Sequence, residues 1–403
     1  MVIYPRKQLD FSFSDLFKAI GFTFNPLQKK ENIVTSLRKI WSQDKTIISL
    51  SLRTTFDALL IHKNFKSGSE VIVTGINIPD MTQIIHSHGL KNVPIDIDMK
   101  SLQLDYNSIL NSVSDKTVMI VVAHLFGTIM NIEKIFNLKK NRPDIFVFED
   151  CAQAFSGLDN YLGDSRSDLS VFSFGSIKTA SAIGCSIGTV KDIGLLKSLN
   201  KILSNYNIQK RSFFFIKLTK YLFLKFLSIP FVYGKFIKLC FILGLDFDKI
   251  IVSGVRGFNP KKLLESIRNQ PSIPQLEFLN YRLSTIRPDH INNRIEAGKF
   301  VKNKLRSDYN VYGSKNKSHT YWLYPIMSNN KKELVKVLLD NGFDATFTST
   351  QLKPVFSDLT HCENPNNCVK YMSKTVYLPV YEGIPKLRLN CMIEIINNFS
   401  IKE

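Results

Sequence analysis

The sequence predicts an α/β fold built on a mostly parallel sheet, and two observations carry that expectation. From about Asn32 to Val190, short apolar runs alternate with helix-length amphipathic stretches. Buried parallel strands read as near-continuous apolar runs, and each needs a right-handed crossover, usually a helix, to reach its neighbour. The second observation is compositional: at 403 residues, 44% hydrophobic and 22% charged, the chain is an ordinary globular one with length for two or three cores. Disordered, collagen-like and disulfide-scaffold classes are thereby excluded.

Taken in order, the expected strands are Thr46–Leu50, Glu70–Val73, Val93–Ile97, Val118–Ala123, Ile145–Phe148, Leu169–Ser173 and Ser186–Val190. Helices are expected between them at Thr54–Lys63, Met81–His88 and Ile132–Lys140. The tail returns to the same text at Tyr321–Ile326, Lys331–Asn341 and Val376–Pro379, a smaller α/β module in which Tyr321 and Trp322 read as strand core. The resulting division is an N-terminal segment over 1–30, a large domain over 31–263 and a small C-terminal domain over 264–403.

One stretch breaks the pattern. Residues 193–245 contain no Asp or Glu, yet hold nine Lys and Arg and eight Phe. The whole chain is also basic, with 53 Lys and Arg against 34 Asp and Glu, 53 − 34 = +19, which favours a polyanionic partner or surface. The longest charge-free run in the insert, Phe226–Gly234, is too short for a spanning helix of about 20 residues. On a helical wheel Lys217, Lys220, Lys225, Lys235 and Lys238 share one arc, with Phe and Leu filling much of the rest. Such a segment over 205–250 suits the interface of an anionic bilayer; a helical hairpin burying its Phe is the plainer reading. With a single Arg among its aromatics, it does not suit nucleic acid.

The six cysteines have no metal-ligand spacing, and His86 and His88 lack a Cys or carboxylate to complete a set, so no metal site is expected. Charges scattered through the N-terminus replace the apolar run of a signal peptide, and free thiols suit a reducing compartment. A cytoplasmic protein is expected, peripheral on the inner face of the membrane if the insert binds lipid.

Three short segments fall in an informative order. Phe146-Val-Phe-Glu-Asp150 is a buried strand that delivers Asp150 at its carboxyl end, with Gln153 three residues on. Ligands of open α/β sheets bind at those carboxyl ends. Leu169–Ser173 is another strand, followed by Lys178, and Thr179–Gly188 is rich in small residues that let backbone approach a ligand. An acid and a lysine 178 − 150 = 28 residues apart suit pyridoxal 5'-phosphate chemistry, and they equally suit an unremarkable strand-end turn and a solvated loop lysine.

Glu149-Asp-Cys-Ala-Gln-Ala154, Ser173-Phe with Lys178, and the small-residue run after it resemble the DegT/StrS family of fold-type I, pyridoxal-phosphate-dependent sugar aminotransferases. Upstream, Gly89–Asp98, Val122-Ala-His-Leu-Phe-Gly127 and the turn Ser51-Leu-Arg-Thr-Thr-Phe-Asp-Ala-Leu59 are similar to the family in the same order, so the likeness covers roughly 31–192. The resemblance implies that Lys178 forms the Schiff base with the cofactor and moves the proton during transamination. It implies that Asp150 pairs with the pyridine nitrogen, that Gln153 lies near the ring, and that Ser173, Arg53 and Thr54 hold the phosphate. A dehydratase branch of the family carries histidine in place of the lysine, so the retained Lys178 implies transamination. A homodimer, a keto-sugar substrate carried on a nucleotide or a lipid, an amino-acid donor and a role in cell-surface polysaccharide or glycolipid synthesis are implied as well.

The departures are Leu52-Arg53 where the family has a Gly-Thr turn, Ile78 where an aromatic often stacks on the ring, and only Gly257-Phe-Asn259 to echo a downstream motif. They leave a second reading, a catalytically weakened relative that docks on a membrane or partner through the insert.

Overall fold

Each of the seven apolar runs becomes a strand of one sheet. The computed structural model describes residues 2–41, 45–255, 257–307, 309–348, 351–360 and 362–399. The strands are β1 (Thr46–Ser49), β2 (Glu70–Thr74), β3 (Lys91–Ile95), β4 (Thr117–Ala123), β5 (Phe146–Asp150), β6 (Leu169–Ser173) and β7 (Ser186–Val190), in the order β1-β7-β6-β5-β4-β2-β3. Neighbours from β6 to β3 are parallel, while β7 is antiparallel to both β6 and β1. Because β7 reverses between them, β1 and β6 point the same way. The carboxyl ends of β1, β5 and β6 therefore open on one edge of the sheet, where ligands of such folds bind.

Alternate side chains of each strand serve opposite faces. Val171 and Phe148 pack with Phe56 and Leu59 of a helix over Leu52–Lys63, whereas Phe172 joins Trp41 and Phe155 on the other side. Trp41 and Phe172 meet edge-on at 5.3 Å between centroids, and Phe155 and Phe174 at 5.1 Å. Contacts of this kind add about 0.5–1.5 kcal/mol each beyond burial. The same cluster takes Leu276, Phe278, Leu279 and Leu283 from a helix over Ile273–Ser284. That helix, counted with the small domain in the sequence-based division, is buried against the sheet.

A second layer pairs β8 (Tyr324–Met327) with β9 (Thr375–Leu378) in antiparallel register over a core of Ile326, Leu338, Phe343, Met392 and Ile396. β8 starts at Tyr324, three residues later than the sequence pattern suggested. Tyr321 has a left-handed backbone, φ 49°, which ends the extended run before it and leaves Trp322 in a loop.

The basic insert forms three helices, α1 (Arg211–Leu227), α2 (Pro230–Ile242) and α3 (Phe247–Val255). Its lysines do not share one outward arc. Lys225 turns inward and donates to Leu9 O at 3.0 Å, and Lys217 points at the backbone around Gly184. Loss of hydration lowers the Lys217 pKa to about 8. The inner face of α1 buries Phe214, Leu218 and Tyr221, and a charge-assisted cluster pins the rest. Arg6 grips Asp344 through Nε (2.7 Å) and Nη2 (2.8 Å), and also contacts Asp248 of α3, while Tyr233 of α2 donates to Asp344 at 2.5 Å. Among the described residues no helix is long and apolar enough to cross a membrane.

Gly127 is where the two layers touch. Its φ is +95°, and a Cβ there would lie 2.5 Å from Thr320 Oγ1 and 2.7 Å from Trp322 N. Gly127→Ala should therefore cost about 2–4 kcal/mol, read as a fall in Tm, and should move the fluorescence of Trp322 in a Trp41→Phe background. An unchanged Tm would mean that the two layers are not in register here.

Candidate active site

Asp150 ends β5 at the middle of the sheet and is 7% exposed. Its Oδ1 accepts the Ala152 N–H at 3.0 Å. Burial raises its pKa, which the nearby Lys178 and Arg53 charges oppose. Lys178 follows β6 in a turn closed by its own N–H to Gly175 O at 3.0 Å. Its ammonium lies 4.1 Å from the centre of the Trp322 ring, whose Nε1 donates to Ile177 O at 3.1 Å. Loss of hydration, helped by Arg53 and opposed by Asp150, lowers the Lys178 pKa to about 7. A side chain that is normally a cation is thus half neutral near pH 7, and a neutral amine is a nucleophile and a base.

The surroundings hold this turn in a strained conformation. Ala180, Ile183 and Cys185 have positive φ, and Ala180 N donates to Asp10 Oδ2 at 2.7 Å. Left-handed non-glycine residues cost of order 1–3 kcal/mol each and persist where the surroundings dictate them.

The structure distributes the other expected residues unevenly. Ser173 lies at the end of β6, with its Oγ accepting the Gly175 N–H at 3.4 Å. Gln153 Oε1 accepts the Phe126 N–H at 2.8 Å, which fixes the amide and leaves its NH2 as the donor. Arg53 pairs with Asp80 at 2.8 Å, lies over the Phe258 ring and shifts the titration of both Asp150 and Lys178, so these three charges share one field. Thr54 is different. It is buried, its hydroxyl donates to Ile267 O at 2.8 Å, and its N–H goes to Ser51 Oγ at 3.1 Å. Ser51 caps the helix through the Thr54 N–H, and with both its donors engaged Thr54 has none left for a phosphate. Ile78 stands at the start of the helix over Pro79–Ser87, partly buried among apolar neighbours, and Asn259 caps a single 3-10 turn.

Behind Asp150, His124, Glu149 and Cys151 lie close enough together to hold a metal ion. Hydrogen bonding accounts for two of them. His124 Nδ1 accepts the Met130 N–H at 3.0 Å, so its proton sits on Nε2 and is donated to Glu149 at 3.1 Å. Glu149 also accepts from Ser170 Oγ at 2.7 Å, from Asp164 N at 2.9 Å and from Tyr161. Burial opposes its charge, but these donors hold its pKa below the usual value. His86 and His88 separately serve Asp358 (2.7 Å) and Asp57 (2.9 Å).

Lys178 opens on a cavity of about 330 Å³ lined by Lys7 and Arg294, which the sequence pattern did not single out, and by Trp322, which it read as strand core. Lys7 Nζ lies 3.5 Å from the centre of the same Trp322 ring. Burial, together with Lys178 and Arg294, pushes its pKa well down. Arg294 donates to Thr320 O at 2.9 Å and to Thr179 Oγ1 at 3.2 Å, and its buried Nη2 has no hydrogen-bond partner among the described residues. Arg282, by contrast, is neutralised by Asp10 and Asp15. The cavity therefore sets the buried guanidinium of Arg294 beside a reactive amine, with Asp10 and Glu382 on the same lining. The one signal for Trp322 in the sequence was its rarity, since the chain has two tryptophans.

Residues 48–210 match the DegT/DnrJ/EryC1/StrS aminotransferase family. Over those residues the chain is similar to that family. It is 32% identical over 157 residues to a GDP-perosamine synthase of Escherichia coli O157:H7, covering 38% of this chain and 42% of the relative. It is also 32% identical over 148 residues to a dTDP-3-amino-3,6-dideoxy-alpha-D-galactopyranose transaminase of Aneurinibacillus thermoaerophilus, covering 36% and 40%. The chain thus spans about two fifths of the length of these curated relatives. In fold the likeness extends over nearly the whole chain. An E. coli GDP-4-keto-6-deoxy-D-mannose-3-dehydratase with bound hydrated PLP superposes with a TM-score of 0.68 at 15% identity, over 98% of this chain and 100% of that one. A sugar aminotransferase from Micromonospora echinospora gives 0.64 at 15% identity over the same shares.

The Lys178 titration has a definite sign. Between about pH 7 and its ordinary 10.5, the unfolded chain binds a proton at this lysine that the folded chain does not. Stability should rise with pH across that window, and Lys178→Met should remove the rise and stabilise most below pH 7. In apo protein reductively methylated with ¹³C, one resonance assigned by Lys178→Arg should titrate near 7; a value near 10 would contradict the desolvated setting.

Proposed function

We propose that this protein is a pyridoxal 5'-phosphate-dependent aminotransferase that converts a keto group on a nucleotide- or lipid-linked sugar to an amine, in the synthesis of cell-surface polysaccharide or glycolipid. The observation that carries the reading is the juxtaposition of Asp150 and Lys178 at one sheet edge, each desolvated and each in the other's field. The donor set fits the cofactor. A buried carboxylate whose pKa is raised by burial gains from a ring N–H beside it, and an amine with a pKa of about 7 is ready to react with an aldehyde.

Pyridoxal phosphate supplies an aldehyde and an electron-withdrawing ring, through which an amino group passes from donor to keto acceptor. Asp150 would hold the pyridine nitrogen in its protonated form. Gln153, with Oε1 fixed by Phe126 N–H, would offer its NH2 to the ring oxygen. Ser173 and Arg53 would hold the phosphate at the amino end of the Leu52–Lys63 helix, where backbone donors favour an anion. Lys178, neutral above about pH 7, would take the proton from the donor α-carbon and return it on the acceptor side. Arg294 would favour an anionic group on the substrate, and the Trp322 ring lies against both Lys7 and Lys178.

The working unit is proposed to be a homodimer in the cytoplasm, seated at the inner face of the membrane. The paired Asp150 and Lys178 support an active enzyme over a weakened docking relative.

Lys178→Ala should lower transamination by more than roughly 10³-fold with the circular dichroism spectrum and Tm of a folded protein, because base and covalent anchor go together. Asp150→Ala should lower it by a comparable factor. Near wild-type turnover in Lys178→Ala would reject the assignment, and a monomer by light scattering that still turns over would reject the dimer.

A further inference from the structure

The insert is anchored on one side and bare on the other. On α1 the inward residues Phe214, Leu218, Tyr221 and Lys225 alternate with an outward set of Phe213 (54% exposed), Ile216, Lys220 and Phe223 (61%). α2 continues the outward set with Phe231, Lys235, Lys238, Leu239, Phe241 and Ile242 (71%). So many exposed large apolar side chains in one segment exceed what scattered surface residues explain, and mark an interaction surface.

Charge decides the partner. With no Asp or Glu anywhere in residues 193–245, the exposed Lys220, Lys235 and Lys238 have no counter-charge within the segment. A second copy meeting this face across a two-fold axis would set Lys against Lys, and like charges so placed oppose association. An anionic partner is required, and one that takes up Phe, Ile and Leu at the same time. The headgroup region of an anionic bilayer does both: phosphates meet the ammonium groups while the aromatic and aliphatic side chains enter the acyl boundary. From this we infer that the outer face of α1 and α2 lies in the surface of an anionic membrane, as a docking surface that spans nothing.

The anchoring fixes what that docking does. Tyr233 and Asp248 tie α2 and α3 to Arg6 and Asp344, and Lys225 on α1 lines the Lys178 cavity. The helix that meets the lipid outside thus borders the cavity inside. This inference names the surface behind the membrane location proposed above and stands independently of the cofactor.

The test is co-sedimentation of the full chain with vesicles of phosphatidylcholine alone and with one quarter phosphatidylglycerol. Two variants accompany it: Lys220, Lys235 and Lys238 all to Gln, and Phe213, Phe223, Phe231 and Phe241 all to Ser. Wild type should pellet with the anionic vesicles and be released as salt rises. Each surface Lys contributes roughly fivefold to partitioning, so the Lys variant should bind about 10²-fold more weakly. The Phe variant should bind weakly at any salt while keeping its circular dichroism. Wild type that ignores anionic vesicles at low salt, or a Lys variant that pellets like wild type, would overturn the inference. An oligomer that the Phe variant disperses, without vesicle binding, would assign the face to a second copy and overturn it too. Absorbance from 300 to 500 nm on the same samples reports the cofactor separately, so a failure of docking and a failure of the enzyme reading can be told apart.

Discussion

Desolvation of Lys178 beside Asp150 is the constraint on which the rest of the site depends. A lysine in water is a cation near neutral pH, useless as a nucleophile or base; packed under Trp322 and near Arg53, its pKa falls to about 7. Asp150 pulls the other way, so the amine does not become permanently neutral. The sheet makes the encounter possible, since β5 and β6 are parallel neighbours that end on the same edge. The antiparallel β7 then returns the chain past a turn held in left-handed conformations, which keeps the lysine over that edge.

Much of this was legible in the sequence because it follows from local pattern. Buried parallel strands leave unbroken apolar runs, and all seven strands of the sheet lie on such runs. Asp150 and Ser173 sit at strand ends and Lys178 in the turn that follows one, where ligands of this class of fold bind. The local text around Thr54 resembles a phosphate turn, whereas in the structure its donors go to Ser51 and to Ile267, more than 200 residues away. Lys7 and Arg294 left no local signal of a site, and Trp322 read only as strand core. They come from the N-terminal segment, a helix and a loop, and meet only because Gly127 lets the two layers close and Arg6 ties the N-terminus to Asp344.

The insert taught the converse. A helical wheel assigns directions on an isolated helix, and it put five lysines on one side. Tertiary packing drew Lys217 and Lys225 inward, toward Gly184 and Leu9, and left the others with the apolar residues outside. Composition sets the segment apart from the rest of the chain. Its sidedness required the structure.

The central claim, that Lys178 is an amine prepared to bond an aldehyde beside Asp150, is tested most directly on the purified protein. Pyridoxal 5'-phosphate is added at neutral pH, the complex is reduced with borohydride, and the labelled peptide is mapped by mass spectrometry. The account predicts a visible absorbance band that borohydride abolishes, with one phosphopyridoxyl group per chain, on Lys178. Label spread over surface lysines, or concentrated on Lys7 or Lys217 with Lys178 untouched, would contradict it.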